Sequence, residues 1–558
     1  MDELPLDLQH MILNQLPVTD LKNMYQVNKH FNTVCSDIKP SFQHLYSTYV
    51  KTGKLKHPPE GPINQRLLQS EYYDPEDISS LTLKNRDKKT LYTLLMEDQS
   101  KIKVSKVTHE QQDIVDSIHN YDEDAIVVVQ AYAGTGKTTT LKYCCENWSN
   151  KTILVFAFNK SATKLLNELF AECPHVTVKG FHQLAYHNIP DIKCCDKLKV
   201  SMLREFFSNN NLSHEELQHI KKSFELFCYS KDNFADNPKV QQIFNAMING
   251  DLPYTHDAYL KKYQLECTDL DYDVVMVDES QDCNDCMASI VMKQENSFRL
   301  FVGDIYQNIY SFRNGEHNKI MRNLYFQSTE VIKKYLSISF RYSGVFGMMV
   351  NEFLKTKLKA VKNVVTIGTN ETTIHEFEKY SDLPVGTTIV CKHNKTIFTL
   401  MFELSQNNKT FMIIRNNKEI DFDEEIQILK DLYHLYRHEL DQIEHPKLKT
   451  FDDIYQVGIN NRNNNKWDQR CDIFTRHPED CWVKAKAMYV KDNPDYIITN
   501  THQAKGMEFD NVAVSSEFNF VNEDALNIFY TAVTRVKKRF YVMKDVYKTE
   551  FLKPHLFL

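Results

Sequence analysis

The sequence predicts an α/β fold in two blocks, each a parallel sheet interrupted by a mostly helical insertion, with a small all-α unit in front. Three observations carry this. From about residue 105, the short apolar runs AIVVV (125–129), ILVFAF (153–158), YDVVMV (272–277) and RLFV (299–302) alternate with helical segments. Runs apolar throughout suit strands covered on both faces, as in a parallel sheet. A second set, KYLSI (334–338), YIIT (496–499), VAVS (512–515) and FYVM (540–543), repeats the pattern, which implies paired domains with a cleft between them. Ahead of both, Leu4, Leu8, Ile12 and Leu16 recur every four residues, the apolar stripe of a helix.

The elements follow in order. Pro17 ends the first helix, and Thr19 or Asp20 can cap a second that carries Leu21, Met24 and Phe31. A unit of about fifty residues (1–50) buries too little surface to be very stable alone, so it packs on a neighbour or docks on a partner. Residues 51–104, with PPEGP at 58–62, read as a connector. The first block runs from 105 to 330 with an insertion at about 184–256, and the second from 331 to 558 with one at about 395–490. The Asn-rich stretch 459–466 reads as a surface loop.

Composition excludes several classes. With 42% hydrophobic and 25% charged residues, the 558-residue chain has the balance of a globular protein. No uncharged apolar run approaches the roughly 18 residues that span a bilayer, so no membrane role is expected. The start, MDELPLDLQH, is acidic where a secretory leader is basic and then apolar, and the expectation is an intracellular protein. Thirteen scattered cysteines suit reduced thiols rather than a disulfide framework. A net charge of -7 argues against whole-surface attraction to nucleic acid but leaves room for a locally basic channel.

Two motifs carry phosphate chemistry. AYAGTGKTTTL follows the strand at 125–129 and opens a helix, the context of a phosphate-binding loop, although Ala131 stands where the strict pattern has glycine. Backbone N–H groups of Ala133, Gly134, Thr135 and Gly136 can turn toward phosphate oxygens, with Thr139 inside the helix start. Lys137 would reach the β- and γ-phosphates and Thr138 would ligate Mg²⁺. In YDVVMVDESQD a buried strand ends in adjacent acids, with Asp278 at the Mg²⁺ and Glu279 available to orient or deprotonate a water. The pairs Cys283/Cys286 and Cys144/Cys145, and the loose group Cys471, His477 and Cys481, lack zinc-site spacing and read as ordinary thiols.

DESQD, GDIYQNIYSFRNG, SFRYS, THQAKGMEF and FYTAVTRVKK, in this order, resemble the motifs of UvrD-like superfamily 1 helicases over about residues 105–545. The segment LPLDLQHMILNQLPVTDLKNMYQVNKHFN resembles an F-box, and the combination resembles the F-box DNA helicases. The resemblance implies two RecA-like P-loop domains, ATP and Mg²⁺ as cofactors, and 3′–5′ movement on single-stranded DNA. It implies that Gln111 reads the adenine edge, that Phe340 stacks on adenine in place of a common tyrosine, and that Glu508 holds the ribose. Gln307 would sense the γ-phosphate, while Arg341 and Arg535 would stabilise charge on the transferring phosphoryl group. DNA contacts would come from Phe158, Asn159, His182, Tyr310, Phe312, Arg313 and His502, with Asn500 replacing a common threonine. Leu4, Pro5, Leu8, Ile12, Leu16 and Leu21 would meet a Skp-type adaptor of a cullin ubiquitin ligase. The implied setting is the nucleus, with a cytoplasmic pool, and the implied work is DNA repair and recombination control on single-stranded and forked DNA, with the strand-exchange recombinase as a further partner. Two rival readings stay open: a substrate receptor whose motor is vestigial, and a repair helicase with no ligase role.

Overall fold

The computed structural model describes residues 107–189, 193–310, 320–366, 372–414 and 479–544, with Val546 and scattered positions between 423 and 444. The candidate adaptor contacts Leu4 to Leu21, the connector, and Phe312 and Arg313 lie outside these residues. Apart from Ser343–Met349, the described residues belong to one compact unit, Val104–Tyr342 with Val350–Val546.

Two six-stranded sheets, parallel throughout, organise that unit. The first contains β1 (Ile126–Ala131), β2 (Ile153–Ala157), β3 (Val176–Gly180), β4 (Val274–Val277), β5 (Phe298–Gly303) and β6 (Ile332–Leu336) in the order β3-β2-β4-β5-β1-β6. β2, β4 and β5 are buried at every position, as expected for strands with helices on both faces. Registers such as Val127 opposite Leu300 and Val155 opposite Met276 align the apolar residues into one core with Leu141, Trp148 and Leu166. Trp148 closes its lower end, donating from its indole N–H to the Val115 carbonyl at 2.9 Å.

A two-stranded ladder, β7 (Ile338–Ser339) with β8 (Val365–Thr366), separates the sheets in the chain. The second sheet contains β9 (Thr373–Phe377), β10 (Thr387–Cys391), β11 (Phe411–Ile414), β12 (Tyr496–Asn500), β13 (Phe509–Val514) and β14 (Val536–Met543) in the order β11-β12-β10-β13-β14-β9. Its core joins Ile389, Phe411, Ile498 and Ala513 to Trp482, whose ring meets Phe402 edge-on at 4.7 Å. No described helix is long and apolar enough to cross a membrane.

The structure corrects the sequence reading in two places. KYLSI does not open the second set: Ile332–Leu336 pairs with β1 in the first sheet, with Val127 opposite Ile332. Its exposed Lys333, and Lys334 paired with Asp113 at 2.7 Å, suit an edge strand, which needs only one apolar side. The span 395–490 is not all insertion either. The helix Asn394–Gln406 is the crossover from β10 to β11, and β11 pairs with β12 within the sheet. Helices Val200–Phe206, His214–Tyr229 and Pro238–Asn249 fill the expected helical span at 184–256.

Candidate nucleotide and nucleic-acid site

Parallel sheets gather loops at the carboxyl ends of adjacent strands. Here β4, β5 and β1 are neighbours, so the loops after them bring Asp278 and Glu279, Asp304 and Gln307, and the segment Tyr132–Gly136 to one edge. The glycines make the last of these a cradle. Gly134 and Gly136 have φ of 75° and 77°, and Gly136 is the left-handed residue preceding the helix Lys137–Asn147. A Cβ at Gly134 would sit 2.5 Å from the Arg341 Cβ, and one at Gly136 would sit 3.3 Å from the Gln111 amide nitrogen and 3.9 Å from the Phe340 ring. Only hydrogen fits at the first, and the second shows how closely Gln111 and Phe340 approach the loop.

Gln111 is positioned by a reciprocal cap. Its backbone N–H donates to Thr108 Oγ1 at 3.2 Å, and its side-chain oxygen accepts from Thr108 N at 3.0 Å. Its Nε2 then donates to Thr140 Oγ1 in the helix that begins at Lys137. Phe340 is 37% exposed, and its backbone N–H donates to the Gly134 carbonyl at 2.9 Å. An aromatic ring and a side-chain amide therefore lie close beside the loop. Thr138 is half-buried and Thr139 exposed on the first helical turn. Among the described residues Lys137 has no hydrogen-bond or ion-pair partner of its own.

The acidic pair is strained and buried. Glu279 follows Asp278 with φ of 50°, in the left-handed region, and its backbone N–H donates to Asp278 Oδ1 at 2.9 Å. Burial pushes the Asp278 carboxyl up to about 7, with Glu279 adding to the rise and Lys137 opposing it. Burial would also raise Glu279, but Lys137 and Lys505 hold it down at about 2, and Gln281 donates to it at 2.6 Å. A buried acid short of positive charge beside an unpartnered lysine and a backbone cradle fits a phosphate group with its divalent cation. Thr138 and Asp278 are the side chains that would hold the cation, and Lys137 with the N–H groups of 134–138 would hold the phosphates, since the Ala133 N–H donates to the Tyr530 hydroxyl.

Asp304 is the hub between strands. It is fully buried; its Oδ1 accepts from Gln130 Nε2 (2.9 Å) and Tyr306 N (3.1 Å), and its Oδ2 from Gln307 Nε2 (2.8 Å). Because an ionised carboxylate only accepts and a guanidinium only donates, Gln307 must turn its oxygen the other way. That oxygen accepts from Arg535 Nη2 at 2.9 Å. Gly303 permits the turn, since a Cβ there would lie 2.3 Å from the Gln281 side-chain oxygen.

Two arginines approach these loops, Arg535 from the second sheet and Arg341 from just after β7. Arg535 lies 2% exposed just before β14 and donates through Nε to the Thr531 carbonyl at 2.9 Å. Burial brings it down to about 9, helped by the charge of Arg341, so it stays charged at neutral pH. Arg341 donates to Glu508 from Nε (3.0 Å) and Nη2 (2.6 Å) and to the Thr534 carbonyl from Nη1 (2.7 Å). Against its burial, Arg341 holds the Glu508 carboxyl below its ordinary range. Glu508 is thus engaged with an arginine in this structure.

The DNA candidates divide. Phe158 stacks on Tyr310 with centroids 5.7 Å apart, the His502 ring approaches Tyr310 at the same distance, and the Lys505 ammonium lies 5.3 Å over it. Asn159, exposed, caps the next helix by accepting from Ala162 N. His182 stands outside this group; it faces Tyr259 edge-on and lies 3.5 Å from Asp257. Asn500 caps its own helix and donates to Asn394 at 2.6 Å.

Reading the motifs one by one overlooked what joins them. Lys505 donates to both oxygens of Asp282 at 2.6 Å and to the Gln307 carbonyl at 2.8 Å. The pair is 9% and 2% exposed and links the two sheets. Asp282→Asn leaves that ammonium buried without its counter-charge. It is expected to lower the unfolding free energy by about 3–5 kcal/mol, read from denaturant titration. Asp304 could have been singled out by the logic applied to Asp278, an acid at the end of an apolar strand.

Comparison with known proteins agrees with this arrangement. Residues 1–43 match an F-box domain, 111–313 an AAA domain, and 496–543 a UvrD-like helicase C-terminal domain. The chain combines an F-box with UvrD-like helicase domains. The AAA and UvrD-like matches cover β1–β5 with the phosphate loop, and β12–β14 with Arg535 just before the last of them. Among curated proteins it is similar to F-box DNA helicase 1 of Gallus gallus, 26% identical over 511 residues, covering 78% of this chain and 48% of that one. It is also similar to F-box DNA helicase protein 1 of Schizosaccharomyces pombe, 24% identical over 531 residues, covering 78% and 57%. The chain thus spans about half the length of the curated relatives it matches. An arterivirus helicase, nonstructural protein 10, aligns with a TM-score of 0.33 and 7% identity over 77% of this chain and 62% of that one.

Proposed function

We propose that this chain is an ATP- and Mg²⁺-dependent DNA helicase that moves 3′–5′ on single-stranded DNA and serves, through its F-box, as a subunit of a cullin ubiquitin ligase. The observation that carries the motor is the chain of contacts from cradle to cation: an unpartnered Lys137 beside Asp278 and Glu279, with Gln307 held between Asp304 and Arg535. Both curated relatives are named as DNA helicases with an F-box, which supports the same reading.

Bound ATP with Mg²⁺ supplies a phosphoryl group that can pass to water. The protein's part is charge and position. The cradle and Lys137 bind the phosphates; Glu279, held ionised, can orient a water and accept its proton. Arg341 and Arg535 bring fixed donors to the charge that spreads during transfer. Both arginines have protein acceptors in this structure, so phosphate binding must draw them from Glu508 and from Gln307. That exchange gives ATP a means of moving the second sheet's elements against the first.

The Phe158–Tyr310–His502 cluster is the proposed track, since stacking on rings tolerates any base. Tyr310→Ala is expected to weaken binding to an oligo-dT strand by about 1–3 kcal/mol, measured by fluorescence anisotropy. Polarity is tested on duplexes with one 3′ or one 5′ tail; unwinding only from the 5′ tail would overturn the direction. For the ligase role, adaptor pull-down with the wild-type chain is expected to succeed and to fail for Leu8→Asp with Ile12→Asp. Failure of the wild type to bind would leave a helicase with no ligase role. Nuclear action in repair and recombination, with strand-exchange recombinase filaments as a substrate, completes the reading.

A further inference from the structure

Tyr530 has a place in the site that none of the roles above uses. It lies on the helix Glu523–Val533, fully buried, and its ring meets Tyr306 edge-on at 6.5 Å. Its hydroxyl accepts from the backbone N–H of Ala133 in the phosphate cradle at 3.2 Å and donates to Asp304 Oδ2 at 3.2 Å. All three residues are shielded from water, so neither partner has a solvent substitute for the bond. The same Asp304 oxygen accepts from Gln307, whose carbonyl accepts from Lys505, whose ammonium lies over Tyr310. One continuous series of contacts therefore runs from the ring cluster to the cradle backbone: a cation over a ring at Tyr310, then hydrogen bonds from Lys505 onward, with the Tyr530 hydroxyl the last member.

We propose that Tyr530 is a positioning residue that ties the phosphate cradle to the helix before Arg535, so that contacts made at Tyr310 set the cradle's geometry for hydrolysis. The proposal rests on the ATP-driven DNA motor argued above. Its ring keeps its packing in Tyr530→Phe, and only the hydroxyl is lost.

The test measures ATP turnover by the full chain with and without oligo-dT, for wild type and Tyr530→Phe. The quantity read is the ratio of the two rates, which does not depend on how much of a preparation is folded. The ratio is expected to fall about tenfold in the variant, with KM for ATP in the absence of DNA changed less than about twofold. A ratio equal to that of wild type overturns the proposal. A second measurement needs no variant: hydrogen exchange over residues 131–136 of the wild type, with and without oligo-dT, is expected to slow on DNA binding. Unchanged exchange overturns the proposal. A wild type whose turnover ignores DNA removes the motor reading and this one together, whereas a DNA-responsive wild type with an equally responsive variant removes only the role of Tyr530.

Discussion

Arg535→Ala is expected to cut DNA-stimulated ATP turnover by about a thousandfold or more, the range seen when an arginine is removed from a phosphoryl-transfer site. The side chain is 2% exposed and charged, and it donates to the side-chain oxygen of Gln307. Burial concentrates its effect, because a charge in a water-poor site is weakly screened. Arg535→Lys is expected to fare little better. An ammonium is a point charge, and it lacks the rigid fork that now spans the Thr531 carbonyl and Gln307. Steady-state hydrolysis with saturating oligo-dT gives the loss, and titration with a fluorescent ATP analogue separates it from binding. A loss of tenfold or less with normal binding would contradict the assignment of Arg535 to the transferring group.

Gly134→Ala is expected to abolish hydrolysis and to lower the melting temperature. Two costs coincide. The residue holds φ of 75°, which costs an alanine roughly 1–2 kcal/mol. The new methyl would also stand 2.5 Å from the Arg341 Cβ and 2.8 Å from Ser339 Oγ, so backbone must move. The bonds that would give way are those that shape the cradle: Ser339 to the Ala133 carbonyl at 2.8 Å and Phe340 N–H to the Gly134 carbonyl at 2.9 Å. Gly506→Ala is the matched comparison. Its φ is 82° with nothing within 4 Å of the added carbon, so it carries the backbone strain alone. Melting curves and turnover for both variants separate strain from collision. Equal behaviour of the two would show that the close approach of Arg341 has no functional weight.

Strands buried on both faces were legible in the sequence because they are mostly apolar: β1, β2, β4 and β5 coincide with apolar runs, and their buried polar members Gln130 and Arg299 are hydrogen-bonded. β9, with Thr373, His375 and Glu376 exposed and Ile374 half-buried, shows no such run, being an edge strand with one dry side. β10 and β11 were hidden for another reason. TTIVC and FMII are too short to stand out from the helical text around them, and the pairing that makes them strands comes from β12, over eighty residues later for β11. The site divides the same way. Lys137, Asp278 and Glu279 were readable because each sits at a fixed offset from a strand end. The Asp282–Lys505 pair and the Tyr530 hydroxyl were not, since their meaning depends on partners more than two hundred residues away. Distance along the chain hides a contact from any local pattern.

The proposed function has one cleft couple nucleotide chemistry to a nucleic-acid track. It is tested most directly by ATP hydrolysis of the purified chain with and without single-stranded DNA, with Glu279→Gln beside the wild type. The expected result is a low basal rate, a rise of at least about tenfold with DNA, and no DNA-dependent rate in the variant. A flat, low rate in the wild type, with DNA bound normally, would contradict the coupling and leave the F-box as the chain's working part.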